Sequence, residues 1–203
     1  MVAHPLWERR VAGSNPVIPT LCLTDLTGGR GRSRATYWPR LHGMSVVRRA
    51  VVITVSDRVT AGAREDVSGR VGADLLEDAG WQATRVTVSD DRAAIADSIE
   101  SAVTGGADLV VTTGGTGVGP RDVTPEATEP LLRMQLPGIA EQIRDVGVQK
   151  LPQAMLSRGV AGICRQALVV NLAGSPGAVR DGIPVVLQVA DHVIAQLSGG
   201  DHA

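Results

Sequence analysis

The stretch DLVVTTGGTGVGPRDVTPEA, residues 108–127, decides how the rest of the chain folds. It opens on Asp108–Thr113, which reads as a strand with an apolar centre at Leu109-Val110-Val111. It breaks into the glycine-rich loop Gly114–Thr124 and enters a helix at Pro125, whose fixed φ suits a first helical turn. Glycines let backbone N–H groups approach an anion, and the helix N-terminus that follows adds its partial positive charge. Thr116 can donate a hydroxyl and Arg121 can fork onto a phosphate. Asp122 is an acid beside that cradle, and a bridging Mg²⁺ is the natural reason for a carboxylate so close to phosphate.

Outward from this stretch the chain alternates. Ala50–Val55 is a buried run, followed by the polar loop Ser56–Val67. Ser68 is expected to cap a helix with Val71, Leu75 and Leu76 on one face, ending near Ala79-Gly80. Gln82–Val88 reads as a strand, and Asp90 or Asp91 caps a helix carrying Ile95, Ile99 and Val103 at helical spacing. Beyond residue 127 a helix is expected from about Gly138 to Val148. β-structure should run from Met155 to the buried strand Ala167–Leu172. After Gly174-Ser175-Pro176-Gly177 a last helix runs from about Ala178 to Leu197, with a break or kink at Pro184. Strand–helix–strand alternation implies right-handed crossovers and a three-layer α/β/α fold with a mostly parallel central sheet. Ligands of such sheets bind outside the carboxyl ends of the strands, and both glycine loops leave those ends.

Composition narrows the chemistry. With 203 residues, 43% hydrophobic and 20% charged, the chain can bury a core without disulfides or metal. It contains no Phe and one Tyr, so stacking platforms for single-stranded nucleic acid are lacking, and the net charge of −1 does not suit a general polyanion binder. Cys22 and Cys164 make neither a disulfide framework nor a zinc spacing. His4, His42, His192 and His202 all fall outside motifs, which leaves histidine acid–base chemistry without support. No apolar run spans a membrane and no secretory leader is visible, so the expected compartment is the cytoplasm. Residues 1–43 carry six Arg and two acids and show no sustained period, which predicts a disordered extension or one added by a misplaced start. Within it Gly13-Ser14-Asn15-Pro16 is what one frame of the T-arm of a transfer-RNA gene would encode. The folded domain is expected over residues 44–203.

The central loop is no P-loop, because Lys150 is the only lysine and no Gly-Lys-Ser/Thr follows the glycines. It does not fit Gly-x-Gly-x-x-Gly either, since Pro120 stands where the third glycine belongs. From Ala50 to about Leu197 the chain instead resembles the MoaB/Mog family of molybdenum-cofactor biosynthesis proteins. The resemblance is carried by Val55-Ser56-Asp57-Arg58, Asp66-Val67-Ser68-Gly69, Thr113–Ala127, Met155-Leu156-Ser157-Arg158 and Asn171-Leu172-Ala173-Gly174-Ser175-Pro176.

That resemblance implies a homotrimer or hexamer that makes adenylylated molybdopterin from molybdopterin and Mg-ATP, releases pyrophosphate, and hands its product to a molybdenum insertase. It implies catalysis and Mg²⁺ binding by Asp122 and a second acid after the second strand, matched by Asp90, with Asp91 the alternative. Gly114, Gly115, Thr116, Gly117, Arg121, Ser157, Arg158, Gly174, Ser175 and Pro176 would hold molybdopterin and the ATP phosphates. Ser56, Asp57, Asp66 and Ser68 would touch the nucleotide. The transfer is positioning plus charge neutralisation, and an attacking phosphate oxygen, already ionised at neutral pH, needs no general base. A non-catalytic molybdopterin carrier or scaffold of the same family is the competing reading. A flavodoxin-like flavin protein would need aromatic shielding that the composition does not offer. Translation starting at Met44 predicts an intact mass for the native protein that lacks residues 1–43; a mass that includes Met1 would refute the misplaced start.

Overall fold

A computed structural model describes residues 47–199. The boundary expected between residues 43 and 44, and the reading of residues 1–43, lie outside those residues. The described elements are β1 (Arg49–Val55), α1 (Asp57–Thr60), α2 (Val67–Asp78), β2 (Gln82–Val88), α3 (Arg92–Thr104), β3 (Leu109–Thr113), α4 (Thr124–Thr128), β4 (Met134–Gln135), α5 (Pro137–Val148), β5 (Ala161–Cys164), β6 (Ala167–Leu172) and α6 (Pro176–Leu197). They build one six-stranded sheet in the order β2-β1-β3-β6-β5-β4. The neighbours β2, β1, β3 and β6 run parallel, and β5 runs antiparallel to both β6 and β4. The mostly parallel sheet expected from the alternation is therefore present, with an antiparallel hairpin at one side.

The two faces of the sheet follow from the period of two along each strand. Ala50, Val52, Leu109, Val111, Leu168 and Val170 pack under α2, α5 and α6. Their neighbours Ile53, Val55, Val110 and Val169 pack under α3 and α4, with Ile95, Ile99 and Ala127 above them. All five residues of β3 and all six of β6 are buried, as central strands of a sheet covered on both faces should be. The chain leaves β1 toward one face and β2 toward the other, so a crevice opens at the carboxyl ends of the neighbours β1 and β3.

Several expectations are corrected by tertiary contacts. Ser68 does not cap α2; Asp66 does, accepting from the Gly69 N–H at 2.8 Å while Thr54 Oγ1 donates to it at 2.9 Å. Ser68 is buried in the first turn instead. The loop after β1 contains the short helix α1, because Ser56 Oγ accepts from the Val59 N–H and nucleates one turn. Residues 152–156 form a 3₁₀ turn rather than β-structure, since Pro152 favours a helical start, and strand pairing begins only at Ala161. The break expected at Pro184 is absent: α6 is one helix of 22 residues, its proline-bearing turn flanked by the buried Gly182, Ile183, Val185 and Val186. The two-residue strand β4 gives too little sequence signal to be read in advance.

Asn171 ties the sheet to the glycine loop. Its Nδ2 donates to Thr112 Oγ1 at 2.9 Å and Thr128 Oγ1 at 3.0 Å, and its Oδ1 accepts from the Val160 N–H at 3.2 Å. A backbone N–H can only donate, so the amide orientation is forced. Replacing Asn171 with Leu keeps the γ-branched outline of the side chain and leaves buried partners unpaired, at a cost of about 3 kcal/mol. Urea unfolding of the two proteins checks this, and equal midpoints would show that the network contributes no stability.

Candidate active site

The two glycine loops meet because β3 and β6 are neighbours in register, Thr113 beside Leu172. The Gly114 N–H donates to the Leu172 carbonyl at 3.0 Å, and Thr113 Oγ1 to the Ala173 carbonyl at 3.1 Å. Gly114 turns the chain at φ 110°, where a Cβ would stand 2.4 Å from the Val55 carbonyl oxygen. A Cβ on Gly174 would stand 3.0 Å from Gly114 Cα. Three backbones thus converge where no side chain fits. Thr124 closes the loop from its far end, with its Oγ1 donating to the Gly114 carbonyl at 2.9 Å and its N–H to the Gly115 carbonyl at 3.0 Å.

This convergence forms the wall of a cavity of about 710 Å³, large enough for a nucleotide or a pterin. Of the residues singled out in the sequence, Gly114, Gly115, Thr116, Gly117, Asp122, Ser157, Gly174, Ser175, Pro176, Ser56 and Ser68 line it. Arg121, Arg158, Asp57, Asp66 and Asp90 do not. Ser157 Oγ donates to Thr116 Oγ1 at 3.2 Å, which joins the 3₁₀ turn to the glycine loop. Ser175 is the N-cap of α6, accepting from the Ala178 N–H at 3.1 Å, so its hydroxyl oxygen is engaged and the helix N-terminus points at the cavity wall.

The carboxylates divide into three roles. Asp122 Oδ2 accepts from the Gly119 N–H at 2.7 Å, while its Oδ1 makes no hydrogen bond among the described residues. Asp91 caps α3, accepting from the Ala94 N–H at 2.9 Å. Asp90 is thereby left to pair with Asp57: each carboxylate accepts from the other's backbone N–H, both at 3.0 Å. The remaining oxygen of Asp57 meets Arg121 Nη1 at 3.2 Å. Asp90 therefore orders the loop beside the site rather than standing next to Asp122 in the cavity wall. Among the described residues no group of three or more His, Cys, Asp and Glu side chains could hold a metal ion. A Mg²⁺ fits only in the manner usual for that ion, on one carboxylate and substrate phosphates, with Asp122 as the carboxylate.

The cations expected at phosphate are largely committed elsewhere. Arg121 faces Asp57, and Arg158 donates to the Gly117 carbonyl at 2.7 Å, to the Asp122 carbonyl at 2.6 Å and to Glu126. The basic side chain that does line the cavity is Arg64, which forms no ion pair among the described residues. Sequence reading missed it because it lies in the aperiodic loop just ahead of the Asp66-Val67-Ser68-Gly69 motif and outside it. The hydrogen bond from Arg158 holds the Glu126 carboxyl below its ordinary value of 4.5. Burial pushes the Cys164 thiol up, as expected of a packed small side chain remote from any chemistry.

A mostly parallel open sheet with two glycine loops at its carboxyl edge defines an α/β protein whose site is suited to a phosphorylated ligand. Residues 51–192 match the family model described as probable molybdopterin binding domain, and the chain belongs to that family. It is 36% identical over 152 residues to the molybdopterin adenylyltransferase of Helicobacter pylori, covering 73% of this chain and 86% of that protein. It is 41% identical over 154 residues to the molybdenum cofactor biosynthesis bifunctional protein of Synechococcus elongatus, covering 75% of this chain. The chain spans about half the length of such bifunctional relatives, 48% and 57% in two of them. A solved molybdopterin biosynthesis protein from Mycobacterium abscessus superposes with a TM-score of 0.71 at 50% identity, covering 75% of this chain and 97% of that one.

A depressed carboxyl stabilises its partner contact above the ordinary value and loses it as pH falls through the lowered one. The Glu126–Arg158 pair should therefore persist at pH 4.5 and open below it. Carbon NMR of the Glu126 carboxyl should titrate below 4.5 in the parent and higher in Arg158→Gln; identical midpoints would mean the pair is not formed in solution.

Proposed function

We propose that the protein is a molybdopterin adenylyltransferase, moving AMP from ATP to the terminal phosphate of molybdopterin. The observation that carries this is the cavity itself: two glycine loops and the α6 N-terminus form its wall, and among the described residues that line it Asp122 is the aspartate and none is a histidine or cysteine. A site of that make-up positions anions and offsets their charge, and contributes little covalent or proton chemistry of its own. Relatives bearing the adenylyltransferase name, of which the chain covers 86% and 77%, support the same reading.

An oxygen of the molybdopterin phosphate attacks the α-phosphorus of ATP, a new P–O–P linkage forms, the bond to the β-phosphate bridging oxygen breaks, and pyrophosphate leaves with that electron pair. The attacking oxygen is already ionised, so no side chain has to remove a proton. Backbone N–H groups of Gly115–Gly117 and the α6 N-terminus orient phosphates, and Ser157 and Thr116 supply hydroxyls. Arg64 draws the anionic substrates to the cavity mouth. Mg²⁺ brought with ATP would be held by Asp122 and would offset charge on the α-phosphate and on the leaving pyrophosphate. Asp90 acts at one remove, through Asp57, on the position of Arg121.

The family resemblance extends the proposal to a homotrimer or hexamer in the cytoplasm that delivers its product to a molybdenum insertase. Among the described residues no helix is long and apolar enough to cross a membrane. The placement of Asp90 away from the cavity wall favours one other reading, a carrier that binds molybdopterin without turnover. Pyrophosphate release from Mg-ATP separates the two. Release that requires molybdopterin and falls by about 100-fold or more in Asp122→Ala is expected of the enzyme. Tight pterin binding with no release in the parent would establish the carrier and remove the transferase.

A further inference from the structure

We propose that Arg158, held by Glu126, is a positioning residue that fixes the Asp122 loop and is not itself a phosphate ligand; the inference rests on the adenylyl-transfer reading. The guanidinium reaches the loop from a segment 36 residues further along the chain. Its Nε donates to the Gly117 carbonyl at 2.7 Å, its Nη2 to the Asp122 carbonyl at 2.6 Å, and its Nη1 to Glu126 Oε1. The Arg158 backbone N–H adds a fourth contact, to the Thr116 carbonyl at 2.8 Å. One side chain and its own amide therefore grip both sides of the turn that carries Asp122.

The geometry assigns the consequence. Asp122 is pinned at its carbonyl by Arg158 and at Oδ2 by the Gly119 N–H, which leaves Oδ1 as the carboxylate oxygen without a partner among the described residues. Gly117 and Gly119 hold the carboxylate closely, since a Cβ on either would stand 2.9 and 2.8 Å from Oδ2. The direction in which Oδ1 points is therefore set by where Arg158 holds the Asp122 backbone. Glu126 has its second oxygen buried without a partner, so Arg158 is the counter-charge on which that carboxylate depends. A guanidinium spent on two carbonyls and a carboxylate has its fork occupied, whereas an ammonium could satisfy only part of this arrangement.

Two measurements on the full chain test the proposal. Hydrogen exchange of the ligand-free protein should show loop amides from Gly117 to Val123 exchanging about tenfold faster in Arg158→Lys, with α6 unchanged. Unchanged loop exchange would overturn the clamp whatever the enzyme does. In steady-state pyrophosphate release, Arg158→Lys should lower kcat by about 100-fold with KM for ATP nearly unaltered. Added guanidinium should restore part of the kcat of Arg158→Ala, while sodium chloride at equal ionic strength should not. A phosphate ligand would behave otherwise: KM for ATP would rise, kcat would hold, and lysine would substitute, and that pattern sinks the proposal. The near-isosteric Glu126→Gln, which leaves Arg158 itself in place, should reproduce the kcat loss in weaker form; full activity in it would count against the clamp. A parent that releases no pyrophosphate would defeat the transferase reading, and the exchange result would still decide the clamp.

Discussion

Three backbones approach one another at the carboxyl edge of the sheet more closely than any side chain allows. The end of β1, the turn after β3 and the turn after β6 meet at Gly114, with the Val55 carbonyl on one side and Gly174 on the other. The contact requires glycine at position 114 and leaves a Cβ at position 174 only 3.0 Å from Gly114 Cα, and it requires β1, β3 and β6 to be adjacent and parallel. Once it is made, the loop from Gly114 to Thr124 has nowhere to go but across the strand ends, where Thr124 fastens it. Cavity, helix N-terminus and Asp122 all take their places from that crossing.

Around this crossing the polar groups are satisfied in layers. Buried hydroxyls of Thr112, Thr124 and Thr128 and the amide of Asn171 join β3, β6 and α4 beneath the loop. Above it, Arg158 and Ser157 hold the loop from the 3₁₀ turn side, and Asp57 and Asp90 tie the end of β1 to the end of β2. Most of the charge near the site is thus used to make a rigid frame. Among the described residues, what remains toward the cavity is one carboxylate oxygen of Asp122, the Arg64 side chain, the hydroxyls of Thr116 and Ser157 and backbone N–H groups, while Glu65 pairs with Arg70. A rigid frame with few free groups suits a reaction whose demand is alignment of two phosphates.

Much of this was legible from residues alone. The largely apolar runs at Ala50–Val55, Leu109–Thr113 and Ala167–Leu172, the last two followed by glycine loops and helix starts, announce buried parallel strands because period, bulk and turn chemistry are local properties. Asp122 was identifiable for the same reason: its neighbours in sequence are its neighbours in the loop. The helix runs unbroken through Pro184 because packing on both sides of it outweighs the local cost of proline. Ser68 was misread as a cap because the competing Asp66 is favoured by a hydroxyl from Thr54, twelve residues away.

The sequence by itself determined the layer architecture, the two glycine loops and the acid between them, since each is encoded within a few consecutive residues. Only the tertiary structure decided which charged groups are available to a ligand. Arg121 pairs across 64 positions, Arg158 across 32 and 36, and Asp90 across 33, and whether a charge is spent or free depends on what long-range folding sets beside it. Composition can count such groups; the sheet order fixes their partners.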